Sequence, residues 1–175
     1  MSEAGAVALW AVVLMAGPMA WGQAPVAADA GCGAAGVSFR VDAATGAMPA
    51  APPAGKALVV FVEKDVGASI AATTLAGMDG QWMGATHGNA WFAFAADPGV
   101  HHLCAQTHFS IWVGGDSEEA LLHFNAQAGR TYYFEAKNLA FSAERQTDVS
   151  LTAVDGDEGR YLTSTEKFVA SKRKK

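Results

Sequence analysis

An all-β sandwich of about seven short antiparallel strands, with a short helix near the C terminus, is the fold class that this sequence predicts. Three observations lead there. Apolar and polar residues alternate with a period of two in several stretches. Turn signals such as Asp79-Gly80, Asp97-Pro98-Gly99 and Ala128-Gly129 separate those stretches, leaving little room for helix. No segment recurs at a fixed period, which argues against a propeller or a solenoid.

The chain is organised around Asp79 to His108. Asn89 to Ala95 sets Phe92 and Phe94 on one face of a strand and Trp91, Ala93 and Ala95 on the other, so it requires cover on both sides. Asp79-Gly80 is a hairpin signal upstream of it. Asp97-Pro98-Gly99 combines a fixed φ with a residue that tolerates positive φ. It predicts a reversal that lays Val100 to Thr107 antiparallel to the preceding strand.

Before this stretch, Gly36 to Val41 alternates as a half-buried strand. Asp42 to Gly55, rich in Ala, Pro and Gly, reads as a linker. Lys56 to Val62 is an unbroken apolar run that suits a central strand. Asp65 to Gly77 is weakly patterned, a loop with a short strand or a helical turn at Ala71 to Ala76. Beyond it, Leu121 to Ala126 puts Leu122, Phe124 and Ala126 on one face. Thr131 to Ala136 points Tyr132 and Phe134 inward, with Thr131, Tyr133 and Glu135 outward. Thr147 to Val154 repeats the pattern with Val149, Leu151 and Ala153 inward. Carboxylates crowd the start of Asp155 to Leu162, which predicts a short helix.

The 175 residues suffice for one domain with a real core. Residues 1–22 read as a signal peptide, with an apolar segment followed by small residues at Ala20-Trp21-Gly22, although Glu3 stands where a positive charge is usual. A retained anchor is the alternative. Residues 23–55 form an N-terminal segment with one strand and the Ala/Pro-rich linker, 56–163 the sandwich core, and 164–175 a basic tail. No apolar run of membrane-spanning length follows residue 22. The net charge is −5, and four of the cations are the terminal Lys172, Arg173, Lys174 and Lys175. The remaining body is acidic, which speaks against nucleic acid as a partner. The tail reads as a solvated end, with contact to an anionic surface as the sharper alternative.

Cys32 and Cys104 are the two cysteines. In an exported chain such a pair is most simply a disulfide, removing roughly 4 kcal/mol of denatured-state freedom. Two unrelated buried thiols, or a lipidated Cys32 after Asp29-Ala30-Gly31, are the alternatives.

Several segments together resemble a known pattern: Gly55 to Val59, Gly84, Asn89 with the aromatics up to Phe94, Pro98-Gly99-Val100-His101-His102-Leu103-Cys104, Ala128-Gly129 with Tyr132-Tyr133-Phe134, and Asp157-Glu158-Gly159. Over roughly residues 32 to 163 they are similar to an uncharacterised domain-of-unknown-function family of small bacterial exported proteins and lipoproteins. The resemblance implies an immunoglobulin-like or transthyretin-like sandwich in the cell envelope and no known activity. This chain departs from the lipoprotein members in its lipid-attachment signal.

Motifs that carry chemistry are sparse. No Gly-x-Ser-x-Gly turn, HExxH helix or phosphate loop occurs, so a catalytic role is not predicted and no catalytic residue or cofactor is assigned. His102 and Cys104 share a strand face with His108, a soft-metal set suited to copper or zinc. Oxidation of Cys104 would remove its thiolate, and the two histidines stand about 20 Å apart along the strand, so no metal site is assigned. Trp82, Trp91, Trp112 and Tyr133 are candidates for an aromatic surface that holds a glycan or a partner strand, against the plainer reading that tryptophans plug the core. The leading reading is a non-enzymatic exported interaction or structural module, periplasmic or in the cell envelope, with an unknown envelope protein or glycan as partner. The runner-up is a periplasmic metal-binding protein using His102, His108 and Cys104.

Overall fold

The computed structural model describes residues 32–46, 49, 51–66, 72–108, 118–141 and 146–175. The proposed signal peptide, residues 1–22, lies outside them. Among the described residues, ten strands and one helix follow in order: β1 Phe39–Ala43, β2 Ala57–Val66, β3 Thr73–Met78, β4 Gln81–His87, β5 Ala90–Ala96, β6 Gly99–His108, β7 Glu118–Ala126, β8 Thr131–Phe141, β9 Gln146–Val154, α1 Gly156–Thr165 and β10 Lys167–Arg173. They build a six-stranded sheet, β1-β10-β5-β2-β8-β9, facing a four-stranded sheet, β4-β3-β6-β7. The all-β class holds, with ten strands in place of about seven.

β2 lies at the centre of the larger sheet, as its unbroken apolar run requires. It pairs antiparallel with β5 and parallel with β8. Ala57 to Val62 are all buried. Alternation then sorts its side chains between two cores. Val59 and Phe61 face the smaller sheet and pack with Phe92, Leu103 and Phe134. Leu58, Val60 and Val62 face the other way, with Trp91 and with Leu162 of α1. Fully burying an aromatic such as Phe61 contributes about 2 to 3 kcal/mol.

Asp79-Gly80 makes the expected hairpin between β3 and β4. Both residues take positive φ, 51° and 76°, the geometry that matches the twist of two-residue hairpins. Asp97-Pro98-Gly99 does something else. β5 belongs to the larger sheet and β6 to the smaller, where it pairs with β3 and β7. The expected antiparallel pairing of β6 with β5 is therefore corrected: the proline turn carries the chain from one sheet across to the other. The larger sheet is also mixed rather than antiparallel, because β10 runs parallel to β5 as well.

Two further corrections concern the C-terminal part. The segment read as a basic tail is β10, which pairs antiparallel with β1 and joins it to the larger sheet. Its apolar core explains why: Val169 is buried and Phe168 stacks on Trp91 with ring centroids 4.4 Å apart. The Ser171 hydroxyl accepts a hydrogen bond from the Ala85 N–H at 2.7 Å. The outward face of β8 is not solvated either. Helix α1 covers it, with Asp155 as N-cap accepting from the N–H groups of Asp157 and Glu158. Gly159 sits where any Cβ would collide with the Tyr133 ring, which fixes how closely the helix approaches the sheet. Under that cover Glu135, expected to point into solvent, is buried.

Candidate functional site

Cys32 and Cys104 are joined in a disulfide, their Cα atoms 5.5 Å apart. The bond pins the segment from Cys32 to Ser38 across the outer face of the smaller sheet. Two glycines permit the close approach: a Cβ on Gly77 would meet the Cys32 carbonyl, and one on Gly33 would meet the indole of Trp82. The Trp82 indole N–H donates to the Ala34 carbonyl at 2.9 Å, holding the strap at its middle. Between strap and sheet runs a groove of about 990 Å³ whose polar lining comes from Gln106, His108 and Glu119, with Leu75 and Trp82 as apolar wall. Gln106 donates to the Glu119 carboxylate at 2.6 Å, and His108 contacts the Gln106 amide oxygen at 3.3 Å.

The four aromatic candidates do not form one surface. Trp82 lines the groove. Trp91 is only 2% exposed and lies in the second core, and Tyr133 is half-buried beneath α1, so neither belongs to a binding face. Trp112 lies outside the described residues. Cys104 is oxidised, and His102 and His108 lie on one strand, so the structure does not bring those three together. Among the described residues no group of three or more His, Cys, Asp or Glu side chains is positioned to hold a metal ion.

Two charged constellations were not legible beforehand. The first joins the hairpin turn to the inter-sheet crossover. His101 of β6 places one ring nitrogen 2.6 Å from the Asp79 carboxylate and the other 2.7 Å from the Asp97 carbonyl oxygen. A carbonyl only accepts, so Nε2 carries hydrogen. Burial opposes charge on both partners, yet the mutual hydrogen bond and attraction outweigh it, raising the His101 pKa and lowering that of Asp79. The Asp79 carboxylate faces Nδ1 as an acceptor too, so the arrangement favours the imidazolium, with both nitrogens occupied. It is a clamp rather than a free base.

The second constellation lies between the sheets. Glu63 of β2 is fully buried, and its Oε1 accepts from the Thr74 hydroxyl at 2.7 Å and the Asn138 amide at 2.8 Å. Asn138 in turn accepts from Thr107 at 2.7 Å and also donates to Asp65 at 3.0 Å. Five side chains from four strands thus share one polar network, buried except at the half-buried Asp65, and Glu63 Oε2 has no hydrogen-bond partner among the described residues. Burial pushes the Glu63 pKa up to about 8, with the nearby Asp65 charge adding to it and the Thr74, Thr86 and Asn138 groups pulling it down. A pKa raised that far favours the neutral acid at pH 7, and Glu63 is not among the residues that line the groove. The parity of β2 was the available signal: residues 59, 61 and 63 share a face, so a carboxyl had to point inward with the apolar side chains.

The fold and its strap define a class: a disulfide-stapled, two-sheet β-sandwich with a helix across its back and a groove across its front. Comparison of the chain with protein-family models, with curated proteins and with solved structures gave no match in any of the three. Among the described residues, no helix is long and apolar enough to cross a membrane.

Proposed function

We propose that this protein is a non-enzymatic, exported β-sandwich that serves as an interaction or structural module of the bacterial cell envelope, and that it takes its partner in the groove beneath the strap. One observation carries this reading. The disulfide holds Cys32 to Ser38 across a sheet face and leaves beneath them a groove with polar side chains on one side and an apolar wall on the other. The polar side chains of His108 and Glu119 stand beside an indole edge, which suits the hydroxyl groups of a glycan or the backbone of an extended peptide. The disulfide requires an oxidising compartment to persist, in keeping with export. The resemblance to small exported envelope proteins of an immunoglobulin-like or transthyretin-like build supports the same reading.

The test is an NMR titration of the disulfide-intact protein, following the indole N–H resonances, with Trp82 assigned through Trp82→Phe. The probes are soluble peptidoglycan fragments and neutral hexasaccharides. A saturable shift at Trp82 that Glu119→Ala weakens at least fivefold supports the groove. Shifts that leave Trp82 untouched, or no saturable response to either probe class, overturn it as a glycan site. Cell fractionation that finds the protein in the cytoplasm with two free thiols overturns the export reading.

A further inference from the structure

A pair of histidines stands apart from both the groove lining and the buried network. His102 of β6 and His123 of β7 are direct partners across the antiparallel ladder, and both are exposed on the outer face of the smaller sheet. Their ring centroids are 4.1 Å apart and the ring planes are inclined at 57°. We propose that these two imidazoles form a bidentate site for a borderline divalent transition-metal ion, with Cu2+ the tightest.

Geometry carries the argument. A metal about 2.0 Å from one nitrogen of each ring, with a bond angle of 90 to 110°, sets the two centroids about 4.5 to 5 Å apart. The observed separation is within a few tenths of an ångström of that range. A small rotation of exposed side chains closes the difference, with no backbone movement. The backbone beneath is held in place, since Cys104, two residues beyond His102 on the same face, is stapled to Cys32, and the β6–β7 register is continuous from Gly99 to Thr107. Little ordering therefore remains to be done on binding. A negative charge also stands close by. Asp79 Oδ1 accepts the His102 backbone N–H at 2.9 Å, although the other carboxylate oxygen is committed to His101.

Two imidazoles leave the remaining coordination positions to water, so the site is a modest chelate, ranked Cu2+ above Zn2+ by the usual divalent order. His87 and His108 do not share it. Both flank Thr73 in the ladder, and His87 is hydrogen-bonded to the Thr73 hydroxyl at 3.0 Å. The inference is independent of the groove, and either can fail without the other.

The test uses untagged protein with its disulfide intact, stripped with a chelator and titrated with CuCl2 by calorimetry and by electron paramagnetic resonance. One ion per chain with two nitrogen ligands is expected, together with at least tenfold weaker binding in both His102→Ala and His123→Ala. The variant His87→Ala should bind as the parent does. Circular dichroism and thermal melting confirm that each variant is folded, and His123→Gln replaces any that is not. Binding that survives loss of either member of the pair, or that disappears with His87, overturns the proposal, as does the absence of binding to the parent.

Discussion

Replacing Glu63 by glutamine tests the buried network through its effect on stability across pH. The folded-state pKa lies at about 8, raised from 4.5. Between those two values the native protein keeps a proton that the unfolded chain has released. The native state binds the extra proton, so stability falls as pH rises, by about 1.4 kcal/mol per pH unit and up to about 5 kcal/mol across the window. The contribution is fully present below pH 4.5 and is gone once pH has passed the folded pKa. The Glu63→Gln side chain would keep an oxygen for Thr74 and Asn138 and has nothing to titrate. Urea unfolding of the two oxidised proteins should give nearly equal free energies at pH 4.5. The substituted protein should gain steadily until it leads by several kcal/mol at pH 8 to 9. Taking the difference cancels the titration of His101 and of every other distant group. A gap that stays constant from pH 4.5 to 9 would refute the reasoning, since Glu63 would then have an ordinary pKa or access to water.

Three further outcomes follow from the same structure. Removing the cross-link with Cys32→Ser/Cys104→Ser opens a loop spanning a separation of 72 residues and should cost roughly 4 kcal/mol of unfolding free energy. A urea midpoint unmoved by reductant would contradict it. Gly159→Ala drives a methyl group into the Tyr133 ring and should destabilise by about 1 to 3 kcal/mol, readable as a lower melting temperature. An unchanged melt would mean that α1 is free to move off β8. Asp79→Asn keeps a residue that tolerates the positive φ of the turn but removes the charge facing His101. The pair is intact only above the depressed Asp79 pKa and below the raised His101 pKa. The substitution should therefore cost more at pH 6 than at pH 9, and by no more than about 1 kcal/mol for so exposed a carboxylate. Equal costs at the two pH values would remove the imidazolium from the account.

What the sequence by itself determined is local. In strands over Ala57 to Val62, Ala90 to Ala96 and Thr131 to Ala136 the pleat sends successive side chains to opposite faces, and it divides Val59, Phe61 and Phe92 from Val60 and Trp91 whatever the partners are. Asp79-Gly80 had to turn because both residues accept positive φ, and Asp155 had to begin a helix because its carboxylate meets two free N–H groups. The cysteine pair was legible because the sequence holds two cysteines, and an even pair is most simply read as a disulfide. Strand order was decided only by the tertiary structure. Pro98-Gly99 has the same turn chemistry whether it joins neighbours or bridges sheets, and the choice depends on which distant edges are open to β6. Lys167 to Arg173 looks like a solvated end until β1 and β5 offer it backbone partners. Glu63 and Asn138 lie 75 residues apart, and His102 and His123 on strands whose pairing no local pattern names. Backbone sterics act between neighbours and leave a signature in every short window. Burial, hydrogen bonding and side-chain pairing act through space, so they emerge only when the sheets have closed.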